Sequence, residues 1–217
     1  LQFLAALGDV LMTSLDVEET LCNVAELVVP DLADLCVIAV AGDDRRMRRL
    51  AITQHGDFVD ERFVALGSVV DPEGGSAIAH VVRTEDTLYR PIVDAPGPDE
   101  PWPVPPVLEQ DYRTRSLICV PLRARSGVVG ALALVSWQRS YTPDDVELAK
   151  EIAYRCAFAV DSAVLYRRSE DDRANLALIS HIGEELASTL DLDEAVERVV
   201  LGLVPTLADE AEVWLAH

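Results

Sequence analysis

The sequence predicts an α+β domain closed by a long helix and followed by the opening of a second copy of itself. Three observations predict this. Two pairs of β-rich runs are each joined by a short turn, helical periodicity flanks them, and one stretch of the chain recurs without a gap.

The first element is helical. In "LDVEETLCNVAELVV", Val17, Leu21, Val24 or Ala25, and Val28 recur on one helical face, with Ser14 or Asp16 placed to cap the start and Pro30 to end it. "LCVIAVA" (Leu35 to Ala41) is a continuous apolar, β-branched run, and "RRLAITQH" (Arg48 to His55) pairs with it across the Gly42–Arg46 turn. "GGSAIAHVVRT" (Gly74 to Thr84) reads as a short helix opened by two glycines, and "TLYRPIVDA" (Thr87 to Ala95) as an edge strand, because Pro91 cannot donate to a ladder. The acidic, Pro-rich stretch from Pro96 to Arg113 is a long surface loop, a length usually tied to function or mobility. Two further strands, Arg115 to Ala124 and Gly127 to Ser136, are joined by a tight turn at Arg125–Ser126–Gly127.

The last helix starts clearly. Thr142 caps it, Pro143 suits the first position, and Asp144 and Asp145 meet the positive end of the dipole. Val146, Ala149, Ala153, Cys156, Val160 and Ala163 alternate by three and four, which predicts the seam of a helix pair. Past "YRRSEDDR" the pattern resumes at Ala174, Ala177 or Leu178, His181 or Ile182, and Leu186. Unbroken from Pro143 to Ser188, the helix would be about 69 Å long at ~1.5 Å per residue. Such a rod needs a partner outside its own domain, and the simplest is the same helix of a second chain.

The repeat sets the organisation. Thr189 lies 175 positions after Ser14, and at that offset Gly8 meets Gly183, Asp16 meets Asp191, Pro30 meets Pro205, and Leu32–Ala33–Asp34 meets Leu207–Ala208–Asp209. Shared amphipathicity alone would not keep Gly, Asp and Pro in register. The expected layout is a flanking N-terminal helix over 1–13, a domain over 14–165, a connector helix over 166–188, and the truncated start of a second domain over 189–217. The chain begins at Leu1 rather than Met, and so reads as a piece of a longer protein.

Composition narrows the function. Half of the 217 residues are hydrophobic, with no apolar run of the ~18 residues a membrane span needs and no signal-peptide pattern, so the chain reads as cytoplasmic without membrane insertion. The formal net charge of −20 argues against nucleic acid as a partner. "RRMRR" (Arg45 to Arg49) reads as a solvated hairpin turn. The single lysine, Lys150, among many Arg, Ala and Val fits a GC-rich bacterial genome. Cys22, Cys36, Cys119 and Cys156 form no C-x-x-C pair and no zinc-site spacing with His, and each sits in an apolar run as buried thiols do.

No nucleophile elbow, metalloprotease helix, phosphate-binding loop or dinucleotide fingerprint occurs, so the chain is expected to be non-catalytic. One binding candidate stands out. Ser76 and His80 are four apart and share a helical face with Thr84, while Gly74 and Gly75 offer backbone N–H groups at the helix start. The ligand-binding candidates are therefore Gly75, Ser76 and His80, with Trp102 and Tyr112 of the long loop placed to close over a small molecule. The same residues also fit a tight turn, a capped helix and a histidine packed under the loop.

The segments "SLDVEETLCNVAELVVPDLADLCVIAV", "AIAHVVRTEDTLYRPIVDA", "RSLICVPLRARSGVVGALALVS" and "YTPDDVELAKEIAYRCAFAVDSAVLYRR" resemble, in this order, a GAF domain over roughly Ser14 to Arg168. "LASTLDLDEAVERVVLGLVPTLAD" is similar to the entry of a second one. The resemblance implies a central antiparallel sheet with helices on both faces, a ligand pocket under the helix and loop on one face, and signalling through flanking helices in a homodimer. It also implies a parent like the bacterial tandem-GAF sensor histidine kinases or PPM-type serine phosphatases, with the output domain beyond residue 217. The Asn-Lys-Phe-Asp-Glu signature of cyclic-nucleotide binders and the Asp-Ile-Pro signature of bilin binders are missing, so the cofactor stays unknown. Two other readings stand beside the sensor: a ligand-free dimerisation spacer, and a haem or redox sensor using His80 or a cysteine.

Overall fold

The computed structural model describes residues 16–29, 31–42, 46–54, 69–93, 101, 114–188, 196, 200, 210, 212 and 214. The chain forms two compact units, Leu1–Ala163 and Val164–His217.

In the first unit, helix α1 (Val17–Val28) starts where Asp16 accepts hydrogen bonds from the N–H groups of Glu18 at 2.8 Å and Glu19 at 3.3 Å. It buries Thr20, Leu21, Val24, Ala25 and Val28. Thr20 can lie inward because its hydroxyl donates to the Asp16 carbonyl at 2.7 Å. Ser14, Pro30 and the expected 1–13 helix lie outside the described residues.

Strands β1 (Leu35–Ala41), β2 (Met47–Gln54), β3 (Val69–Val70), β4 (Leu88–Arg90), β5 (Ser116–Ala124) and β6 (Gly127–Ser136) form one sheet in the order β3-β2-β1-β6-β5-β4. All neighbours are antiparallel. Between β3 and β4 stands helix α2 (Ala77–Thr84), and helix α3 (Pro143–Ser188) follows β6.

Strand alternation divides the core in two. Cys36, Ile38 and Val40 of β1, with Ile118, Val120, Leu122, Leu132 and Leu134 of β5 and β6, meet α1 and α3. Leu35, Val37, Ala39, Leu117, Cys119, Ala131, Ala133 and Val135 face α2. The sheet is covered on both faces, which is why its central strands read as continuous apolar runs. The α2 side is lined by smaller residues.

Several boundaries differ from expectation. β4 stops at Arg90 because Pro91 has no N–H to continue the ladder. α2 begins at Ala77, since Ser76 is extended and serves as its cap. "RRMRR" is only partly turn: Met47, Arg48 and Arg49 already lie in β2, with Met47 buried and Arg49 Nη1 donating to the Val69 carbonyl at 3.3 Å. β3 was not foreseen.

The largest correction concerns α3. Its three-four row of Val146, Ala149, Ala153, Cys156 and Val160 is buried within the first unit's own core, not left as a seam for another helix. A period of three and four fits burial against a sheet as well as against a helix, so the spacing alone did not choose between them. Tyr154 and Phe158, 64% and 61% exposed, lie on the uncovered side.

In the second unit, Leu165, Tyr166, Leu176 and Ile179 of α3 are exposed. Val196 and Val200, 175 positions after Leu21 and Ala25, are helical, while Glu210, Glu212 and Trp214, at the same offset from Leu35, Val37 and Ala39 of β1, are not in a strand. Among the described residues no helix is long and apolar enough to cross a membrane.

Candidate functional site

Of the predicted binding residues, Gly75, Ser76 and His80 lie at the start of α2, but much of the polar capacity there is used locally. Asp71 folds the approach, its carbonyl accepting from the Gly74 N–H at 3.1 Å and its Oδ1 from the Glu73 N–H at 3.0 Å. The Gly74 amide is thus not free for an anion, contrary to expectation. Gly75 is exposed with open space around it. The Ser76 hydroxyl accepts from the Ala79 N–H at 3.2 Å and caps the helix. Thr84 turns back, its hydroxyl donating to the His80 carbonyl at 2.9 Å. His80 is half-buried, and its imidazole makes no hydrogen bond with any described residue. Trp102 and Tyr112 lie outside the described residues.

Both ends of α2 are tied down. Arg83 Nη1 donates to the Pro72 carbonyl at 2.8 Å, and Arg123 reaches from β5 to the carboxylate and carbonyl of Glu85, the helix C-cap. Glu85 is held at φ 60, the left-handed region that glycine usually occupies. Ala77, Ile78, Ala79 and Val81 are buried in the core that includes the small residues Ala39, Cys119, Ala131 and Ala133.

A second polar centre, which the sequence reading passed over, lies at the corner between β6 and α3. Asp34 Oδ2 accepts from the Ser136 hydroxyl at 2.9 Å and the Trp137 N–H at 2.8 Å, and the Asp34 N–H donates to the Val135 carbonyl. Arg139 donates to the Leu32 carbonyl at 3.2 Å and to Asp145 at 3.0 Å, and its guanidinium lies 5.2 Å from the Tyr141 ring centre. Thr142 donates its N–H and hydroxyl to Asp145 Oδ2 at 2.8 and 2.9 Å, and the Asp145 N–H donates back to the Thr142 hydroxyl at 3.4 Å. This reciprocal cap opens α3. A cleft of about 280 Å³ sits at this corner, lined by Asp31 to Asp34, Ser136, Gln138 and Arg139. The available sequence signal was Asp34 itself, repeated in register as Asp209.

Local chemistry follows from burial. The Asp145 carboxyl feels an opposing desolvation, but the Thr142 hydrogen bonds and Arg139 outweigh it and hold its pKa below the usual value. Burial pushes the Tyr141 phenol up against the pull of Arg139, and its hydroxyl has no hydrogen-bond partner among the described residues. Burial also raises the Cys36 and Cys119 thiols and takes Cys156 up to about 12. Cys22 is half-buried, donates to the Leu50 carbonyl at 3.5 Å, and is raised by desolvation and then by Glu18, Glu26 and Asp16. Thiols of this kind are poor nucleophiles, so a cysteine-based redox sensor loses support.

The antiparallel sheet covered on both faces, the small helix with a half-buried histidine and the long closing helix together define one class of α+β domain. The GAF domain family profile matches residues 14–161. The chain therefore belongs to the GAF domain family, which typically supplies small-ligand sensory or regulatory modules to signalling proteins. Solved structures share the fold. A methyl-accepting chemotaxis protein, residues 122 to 287, is 23% identical with a TM-score of 0.59, over 74% of this chain and 98% of that one. The GAF domain of a phosphoenolpyruvate-protein phosphotransferase from Coxiella burnetii is 14% identical with a TM-score of 0.61, over 79% and 95%. Free methionine-R-sulfoxide reductase from Neisseria meningitidis, in complex with its substrate, is 17% identical with a TM-score of 0.54, over 72% and 84%. No curated protein matches the chain.

Proposed function

We propose that this chain is a sensory module of a bacterial signal-transduction protein. A small ligand held by Gly75, Ser76 and His80, under a loop carrying Trp102 and Tyr112, shifts the α2 region between two arrangements. The bias passes to α3 and, in a homodimer through the helix over 143–188, to a kinase or phosphatase domain further along the parent protein. Residues 166–188 serve as the connector and 189–217 open a second GAF domain. The observation that carries this reading is α3 itself, 46 residues from Pro143 to Ser188, which packs the first unit's core and continues past its end at Ala163. On the part of α3 within that unit, Tyr154 and Phe158 are large apolar side chains exposed to meet a partner helix. A ligand acts only through different affinities for the two arrangements.

One observation favours a second reading, a ligand-free dimerisation spacer: the Gly74 amide and the Ser76 hydroxyl are already satisfied within the α2 turn. Native mass spectrometry of the purified chain, set against its denatured mass, separates the two. A dimer carrying added noncovalent mass supports the sensor, a bare dimer supports the spacer, and a monomer overturns both.

A further inference from the structure

The segment Arg139–Thr142 launches α3, and its backbone is gripped from two strands. From β5, the Ser116 hydroxyl donates to the Arg139 carbonyl at 2.8 Å and accepts from the Tyr141 N–H at 3.2 Å. Arg115, just before β5, adds a bond from its Nε to the Ser140 hydroxyl at 3.3 Å. From β4, the Tyr89 phenol donates to the Tyr141 carbonyl at 2.7 Å. These two grips differ in what they can report. β5 is paired along its length with β6 and is the rigid side. β4 is a three-residue edge strand, paired with β5 alone and joined to the end of α2 by residues 85–87.

β4 also carries contacts to both cores on successive residues. Leu88 packs on the α2 side of the sheet, and Tyr89 on the side of α1 and α3. A displacement of α2 that moves β4 therefore moves a side chain on the opposite face, which is hydrogen-bonded to the start of α3. We infer that the Tyr89 phenol is a positioning group that couples α2 to the launch of α3 across the edge of the sheet. The inference builds on the role proposed for α2 above, yet it concerns mechanical coupling and needs no ligand to test.

The test is a double-mutant cycle read by amide hydrogen exchange in the whole chain. Ser76→Ala removes the α2 cap and loosens that helix; Tyr89→Phe keeps the ring and removes the bond. The reporters are the amides of Tyr141, which donates to Ser116, and Val146, which donates to the Thr142 carbonyl. With Tyr89 intact, Ser76→Ala is expected to speed exchange of both reporters by roughly threefold or more, the scale of a lost cap. In the Tyr89→Phe background, the same substitution should speed the α2 amides and leave the reporters unchanged. Equal acceleration of the reporters in both backgrounds, or none in either while the α2 amides accelerate, overturns the coupling. Neither outcome touches the ligand question, since a spacer without a ligand would show the same cycle.

Discussion

Gly130 offers the sharpest test of the packing argument. It lies in β6 opposite Val40 of β1 and Leu122 of β5, so both of its neighbours are backbone in a central position of the sheet. A Cβ at this position would come 2.2 Å from the Ala39 carbonyl oxygen, 3.1 Å from the Val40 Cα and 3.0 Å from a Leu122 methyl. The methyl can rotate away; the two backbone atoms cannot. Ordinary carbon–oxygen contacts in sheets are about 3.3 Å or longer, so Gly130→Ala must part β1 and β6 locally by roughly 1 Å. Overpacking typically costs about 1–3 kcal/mol, and two ladder bonds strained alongside would add about 1 kcal/mol each. The expected loss is therefore about 3–5 kcal/mol, a large share of the ~5–15 kcal/mol of a whole domain. Urea denaturation followed by circular dichroism measures it directly. A loss under about 1 kcal/mol at unchanged denaturant slope would refute the close approach of β1 to β6 on which the estimate rests.

Other substitutions probe the polar corner and the caps. Ser116→Ala leaves the buried Tyr141 N–H without its acceptor and is expected to cost about 1–3 kcal/mol in the same urea assay. Glu85→Gly relieves the left-handed backbone while giving up only an exposed ion pair, so stability should rise by about 0.5–1 kcal/mol, seen as a higher urea midpoint. Because the Asp145 pKa is depressed on folding, its stabilisation is full above the unfolded carboxyl pKa and is lost as pH falls through the folded one. The stability gap between the parent and Asp145→Asn should accordingly be widest near neutrality and close in acid, as read by denaturation at successive pH values. With a thiol reagent at pH 8, Cys22 should react first and slowly, and Cys36, Cys119 and Cys156 only once the protein is unfolded.

Local chemistry was the legible part of the sequence. Asp16, one of the two expected caps, the Thr142–Pro143 helix start and both ends of β6 follow from neighbours in the chain, and the structure places them where that chemistry requires. Bonds between distant residues left no comparable trace: Tyr89 reaches Tyr141 across 52 positions, and Ser116 reaches it across 25. The row from Val146 to Val160 was read as a dimer seam because periodicity reports which side of a helix is apolar, not what covers it. At the candidate site, the Ser76–His80–Thr84 spacing was visible, but not that Ser76 and Thr84 would spend their hydroxyls on α2 itself.

The pairing of β1 with β6 also orders the birth of the domain. Leu35 pairs with Val135, so after β1 leaves the ribosome about 100 residues must be translated before its central neighbour exists, roughly 5–20 s at ~5–20 residues per second. During that interval one edge of an apolar strand waits unpaired and open to chaperones or to neighbouring nascent chains.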